Sequence, residues 1–393
     1  MKPKLLISIN TLSFGGAERV VSQLLNHLNE HYEIHLVLFS RVISYPIPEN
    51  IKILDLQQNM NAGNISTLLK IPLLARKVAA YCKKNGIRVS VSFLNRPCYM
   101  NAFMKTLWGF KGKTIMCERS HQSSILNYIG GGSKMYKVIT KKLISFSYNN
   151  ADLVLANSIV SKEDLLANFG VRKPIEVIYN PIDLTSIDQV SGQPTAHALE
   201  ENVFHFISTG NFRIEKNFPL LVEAFSQLPD LPVKLILVGG GALENTLRQQ
   251  VAKAGMNDKV IFTGFEKNPF SYIKKSDCFV LSSYTEGFPN VLLEALACGK
   301  PVISTDCKSG PRELLAPGTP VLQQVQKDYE IAAYGLLAAV NDATCLAKAM
   351  RKMYTDNSLR LDFSEKARLR AMDFDVYKIK NEFIKAFQPK PHS

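Results

Sequence analysis

Short apolar runs alternate with helical patterns along the whole chain. Residues 5–9, 34–39, 51–54, 89–93, 114–117 and 153–156 read as buried strands, each bounded by polar or turn-forming residues. Between the first two, Val20, Val21, Leu24, Leu25 and Leu28 recur at helical spacing. Further helices are predicted over 68–81, 101–108 and 136–148, with another after Asn157-Ser158. The second half repeats the scheme, with strands at 204–208, 235–238, 260–262, 278–281 and 302–305 and helices at 342–354 and 377–387. Strand–helix alternation of this kind predicts an α/β protein built on parallel sheets. The polar segment 186–202, with Gly192, Pro194 and few apolar residues, reads as a linker. It divides the chain into domains 1–185 and 203–374, with a terminal segment 375–393.

One stretch between two of these strands is unusually informative. Gly287 and Pro289 mark a tight loop, Asn290 is placed to cap a helix running to about Cys298, and Gly299 sits where a glycine ends a helix. Free backbone N–H groups and a positive helix end at the carboxyl edge of a parallel sheet suit a phosphate. Two carboxylates frame the site: Glu286 in the loop and Glu294 eight residues on. Beside a phosphate they make sense as acceptors for the paired hydroxyls of a sugar and a ribose.

The chain of 393 residues is long enough for two domains with separate cores, and 46% hydrophobic content describes a globular protein. No apolar run is long enough to span a bilayer. The start, Lys2-Pro3-Lys4 before a short apolar run and Gly15-Gly16, reads as a first strand rather than a signal peptide. Seven scattered cysteines without metal-ligand spacing suggest reduced thiols and a cytosolic protein. The net charge of +13 is concentrated in the first half. Residues 70–142 hold 15 Lys/Arg and a single acid, Glu118, interleaved with Tyr99, Met100, Phe103, Leu107, Trp108 and Phe110. That distribution suits an anionic membrane face or nucleic acid, or else a lysine rim around a core. No nucleic-acid-binding module is recognisable, so nucleic acid is not expected as a partner.

The segment EGFPNVLLEALACGKPVISTD, with Glu286 and Glu294 separated by seven residues, resembles the signature of retaining GT-B glycosyltransferases of family 4, the glycogen-synthase-like type. GGAER at residues 15–19 is similar to the family's first loop, and Thr209-Gly210-Asn211-Phe212-Arg213-Ile214-Glu215-Lys216 to its diphosphate-clamping loop. SGPRE at 309–313 resembles bacterial transferases that build surface polysaccharides, lipopolysaccharide and lipid-linked oligosaccharides. The resemblance implies a GT-B fold: two Rossmann-like domains facing a central cleft, the last helix crossing back to the first domain. It assigns Glu294 to the ribose and Glu286 with Gly287, Phe288 and Pro289 to the donor sugar. Lys216, Gly15, Gly16, Asn290 and Val291 would neutralise the diphosphate, and Gly264 and Phe265 would face the nucleobase. The family's second cation is replaced by Asn211; Arg213 is the nearby substitute. His121 and Arg119 would lie on the acceptor side, where the family carries a His or Asn; a lone histidine is otherwise a structural residue.

The expected function is retaining transfer of a hexose or N-acetylhexosamine from a nucleotide-sugar, on resemblance UDP-linked, to a lipid-linked or polysaccharide-precursor glycan. Catalytic roles fall to Glu286 and His121, with no metal or other cofactor. The glycine-rich, basic stretch 122–140 is expected as an acceptor-binding loop. The basic 70–142 region would hold the enzyme peripherally on the inner face of the plasma membrane. Asp373-Phe374-Asp375 mimics a metal-binding triplet but reads as a helix start. The alternatives are a non-catalytic glycan- or membrane-binding protein of the same fold, a sugar-nucleotide epimerase or a phosphorylase.

Overall fold

The computed structural model describes residues 2–59, 64–128 and 134–389. Strands β1 (Lys4–Ile9), β2 (Glu33–Leu38), β3 (Lys52–Asp55), β4 (Val89–Phe93), β5 (Lys113–Glu118), β6 (Leu153–Ala156) and β7 (Ile175–Val177) form one sheet. Its order is β3-β2-β1-β4-β5-β6-β7, with every pair parallel. The second sheet contains β8 (Phe204–Thr209), β9 (Val233–Val238), β10 (Val260–Gly264), β11 (Cys278–Leu281), β12 (Val302–Thr305), β13 (Tyr329–Ile331) and β14 (Leu336–Ala338). Its order, β10-β9-β8-β11-β12-β14-β13, is parallel except for the β13–β14 pair. In both sheets the chain starts near the middle, works outward, then crosses to the other side. In open α/β sheets such a reversal is where ligands bind, here at the carboxyl ends of β1 and β4, and of β8 and β11.

The strands read as apolar runs because helices cover both faces of each sheet. The helix Gly16–Leu28 buries Val20, Val21, Leu24, Leu25 and Leu28 against Leu5, Ile7, Ile9 and Val91. Ile379, Phe383 and Phe387, from the last helix Val376–Ala386 and just past its end, enter the same core. The chain accordingly divides into one unit of Met1–Ser123, Gly130–Pro181 and Val376–Ser393, and another of Ser124–Ile129 and Ile182–Asp375.

The expected linker at 186–202 needs correction. Its first part is the helix Leu184–Ser191, capped by Asp183, whose Oδ1 accepts from the Ser186 N–H at 2.9 Å. Leu184 and Ile187 are buried, so the segment belongs to the second unit, and the division falls at Pro181–Ile182. Of the glycine-rich loop, Gly130 to Ser133 lie outside the described residues; the rest of 122–140 belongs largely to two helices, Gln122–Tyr128 and Lys134–Asn149.

Trp108 closes the helix Asn95–Thr106 against the helix Asn64–Asn85. Its indole N–H donates to the Pro72 carbonyl at 2.8 Å, and Arg76 lies 5.4 Å over its ring. Around it, Leu69, Leu73 and Leu107 are exposed; on Lys134–Asn149 so are Met135, Val138, Ile139 and Phe146. Lys70, Lys77, Lys134, Lys141 and Lys142 are exposed on the same helices.

Candidate functional site

The carboxyl ends of β8, β9 and β10 are drawn together by glycines. Gly239 adopts φ +136°, and a Cβ there would stand 2.0 Å from the Gly210 carbonyl oxygen. Its N–H donates to the Gly264 carbonyl at 2.8 Å, and the Gly210 N–H donates to Val238 at 2.9 Å. Only backbone fits at that approach. Asn211 follows directly; Arg213 is exposed, and Phe265 is 52% exposed beyond Gly264.

After Arg213 the chain makes a 3-10 turn, Ile214–Lys216, and this turn aims Lys216 at the loop behind β11. Lys216 Nζ donates to both oxygens of Glu286, at 2.7 and 2.8 Å, although the residues are 70 apart in sequence. Ser283 Oγ donates to Glu286 Oε1 at 2.6 Å, and Ser282 Oγ donates to the Lys216 carbonyl at 3.1 Å. The Glu286 side chain is 8% exposed and that of Lys216 26%. Gly287, Phe288 and Pro289 are buried behind it.

Asn290 is the first residue of the helix Asn290–Ala297, not its cap. Pro289 occupies the cap position and gives no side-chain hydrogen bond. The proline ring lacks an acceptor, so the cap residue's own side chain offers nothing to the N–H groups of this helix start. Glu294 lies in this helix, 2% exposed, and Gly299 ends it at φ +72°.

The loop rests on the residues after β12. The Glu286 N–H donates to Lys308 at 3.3 Å, and Ser309 Oγ donates to the Gly287 carbonyl at 2.5 Å. Gly310, at φ +96°, would place a Cβ 2.4 Å from Pro289 Cδ and 3.0 Å from Phe288 Cα. Arg312 anchors this shelf: its guanidinium donates to Asp306 Oδ2 at 2.5 Å and to Glu330 Oε2 at 2.8 Å. The Phe288 ring packs 5.3 Å from that of Phe374, the middle residue of the triplet Asp373-Phe374-Asp375. Among the described residues no group of three or more His, Cys, Asp or Glu is arranged to hold a metal ion.

In the first unit, Gly15 stands before the helix Gly16–Leu28 with no side-chain cap, and Tyr45 Oη donates to its carbonyl at 3.2 Å. Beyond β5, His121 is buried, with Nδ1 3.8 Å from Asp164 Oδ2. Arg119 points elsewhere. Its Nη1 donates to Asn180 Oδ1 at 2.9 Å, and its guanidinium lies 4.9 Å over the Phe93 ring. Nε and Nη2 are buried without a hydrogen-bond partner among the described residues, and burial pulls its pKa below the usual arginine value.

Residues 14–186 match the model of Glycosyltransferase Family 4, and residues 192–370 that of Glycosyl transferases group 1. A Campylobacter jejuni protein, N-acetylgalactosamine-N,N'-diacetylbacillosaminyl-diphospho-undecaprenol 4-alpha-N-acetylgalactosaminyltransferase, is 36% identical over 97% of this chain and 98% of its own. The chain belongs to the family 4 glycosyltransferases.

A second relative of this glycosyltransferase from the same organism is GalNAc-alpha-(1->4)-GalNAc-alpha-(1->3)-diNAcBac-PP-undecaprenol alpha-1,4-N-acetyl-D-galactosaminyltransferase. It is 26% identical over 97% of each chain. Among solved structures, sucrose-phosphate synthase of Thermosynechococcus elongatus superposes with a TM-score of 0.80 at 19% identity, over 98% of each chain. Anabaena HepE, in complex with UDP-glucose, gives 0.73 at 19% identity and 98% of each chain. The fold is GT-B. The sequence assigns no site role to Ser283, Ser309 or Gly310, although the last two lie in the SGPRE segment. The Ser-Gly-Pro order was the available signal, since a glycine before a helix-starting proline marks a strained turn.

Proposed function

We propose that this glycosyltransferase moves an N-acetylhexosamine or hexose from a UDP-sugar to a polyprenyl-diphosphate-linked oligosaccharide, with retention and without a metal. The observation that carries the reading is the end-to-end similarity to the Campylobacter enzyme, whose name specifies an N-acetylgalactosamine donor group and a diphospho-undecaprenol acceptor.

The chemistry follows from the groups at the sheet ends. Glu294 holds the ribose hydroxyls, and Gly264 and Phe265 adjoin the base. Lys216 and the helix start at Asn290-Val291 balance the charge that grows on the leaving diphosphate, with Asn211 and Arg213 at its margin. Glu286 with the backbone of Gly287, Phe288 and Pro289 grips the donor sugar and stabilises its oxocarbenium-like centre. The departing phosphate takes the acceptor's proton on the face it leaves, so no protein nucleophile is needed. His121 serves the acceptor side; Arg119 holds the strand end beneath it through Asn180 and Phe93.

The exposed apolar and lysine side chains of Asn64–Asn85 and Lys134–Asn149 favour an anionic membrane as the surface on which the acceptor is met. Among the described residues no helix is long and apolar enough to cross a membrane. Surface charge of this kind adds about 1 kcal/mol of attraction per Lys or Arg near anionic lipid.

The test is donor hydrolysis over UDP- and GDP-sugars, with and without EDTA, followed by transfer to polyprenyl-diphosphate glycans. Release of UDP from one sugar, resistant to EDTA and lost in Glu286→Ala, is the expected result. A covalent glycosyl–Glu286 adduct would remove the retention scheme, and failure to float with anionic liposomes at low salt would remove the membrane.

A further inference from the structure

Lys216 and Glu286 are joined by two hydrogen bonds. Under the reading above they serve different parts of one donor, Lys216 its diphosphate and Glu286 its sugar. We propose that the pair is a built-in competitor of UDP: the nucleotide takes Lys216 at the expense of Glu286, and only an attached sugar returns hydroxyl donors to the carboxylate. This rests on the donor assignment just given.

Lys216 uses two of its three N–H groups on the Glu286 oxygens. A phosphate that shares the third must stand one ammonium's width from a carboxylate, and like charges at that distance repel. A phosphate that takes all three strands Glu286, whose side chain is 8% exposed and, among the described residues, keeps only Ser283 Oγ as a side-chain donor at 2.6 Å. A buried carboxylate deprived of its cation is strongly disfavoured. The UDP-sugar escapes this penalty because its hydroxyls replace the lost N–H donors. After transfer the sugar is gone, Glu286 reclaims Lys216, and UDP is expelled. Product release is thus coupled to completion of the reaction, and the paired Lys216 and Glu286 present little net charge to other diphosphates.

Calorimetric titration of UDP and UDP-N-acetylgalactosamine into the wild type, Glu286→Gln and Lys216→Met tests the idea. Glu286→Gln is expected to bind UDP about tenfold tighter than the wild type, equivalent to about 1.4 kcal/mol, and to lose its preference for the sugar nucleotide. Lys216→Met is expected to bind neither. In the unaltered protein, free N-acetylgalactosamine is expected to tighten UDP binding severalfold, which avoids reliance on a variant. UDP affinity unchanged or weakened in a cooperatively melting Glu286→Gln would overturn the competition, as would indifference of the wild type to the free sugar. If cooperatively melting wild type and Glu286→Gln both ignore UDP, the donor assignment falls and takes the proposal with it.

Discussion

The fifth strand in the spatial order of each sheet, β5 in one and β12 in the other, delivers a buried acid at its carboxyl end, and the two acids are treated in opposite ways. Glu118 is surrounded by neutral donors: the N–H groups of Arg119 and Ser120, the Ser120 hydroxyl and the Gln122 amide on Oε1, and Tyr148 Oη on Oε2. The neighbouring arginine is spent on aromatic rings and Asn180. Asp306 instead meets a buried arginine, Arg312, which also reaches Glu330 and Thr319. One sheet end is fixed by dispersed hydrogen bonds, the other by a single ionic hub. The hub stands under the shelf that carries the Glu286 loop, so one topology supports two differently pinned sheet ends.

Removing the hub should have the largest effect. Arg312→Met leaves Asp306 buried beside Glu330 without a cation, and chemical denaturation should show a loss of about 3–5 kcal/mol. If Arg312→Met costs no more than an exposed lysine replacement, the hub is not what pins the shelf. Next comes Gly310→Ala, which meets Pro289 and Phe288 and places a side chain at positive φ. A loss of about 1–3 kcal/mol is expected, with a drop in donor hydrolysis larger than that seen for Gly170→Ala. Gly170 also has positive φ, but open space around its Cβ position.

The smallest effect belongs to the neutral side. Burial raises the Glu118 pKa above the ordinary glutamate range. The folded state then holds the proton more tightly than the unfolded one, so this contribution is full below the unfolded pKa and is lost as the pH rises through the raised folded value. Glu118→Gln abolishes that window. Relative to the wild type its Tm should improve as the pH is raised, by an amount worth about 1 kcal/mol. A constant difference across the range would mean that the Glu118 carboxylate is already at ease in its hydrogen bonds.

Much of this organisation was legible from sequence where burial is two-sided. The bounds of β4, β6, β11 and β12 coincide with the apolar runs, because central parallel strands tolerate little else. Legibility failed where structure rests on few buried side chains. The helix Leu184–Ser191 buries only Leu184, Ile187 and Ser191, and so read as a linker. At the site, the Glu-x₇-Glu spacing located the loop and helix, but Pro289 took the cap position assigned to Asn290. The Lys216–Glu286 contact spans 70 residues and depends on a three-residue 3-10 turn, which no local pattern announces. The shelf was hidden for the same reason: Ser309 and Gly310 act through their positive φ angles and through the Ser309 Oγ bond to Gly287, 22 residues away.

The corner where Trp108 meets Pro72 has an optical consequence. The chain contains one tryptophan, so all indole fluorescence reports from that corner, 38% exposed and beside the exposed leucines of Asn64–Asn85. Docking onto lipid should shift its emission to the blue and shield it from iodide or acrylamide. Nucleotide binding around Glu286 has no indole of its own to perturb in the second unit. A single emission spectrum therefore separates events at the helices Asn64–Asn85 and Asn95–Thr106 from events around Glu286 without any added label.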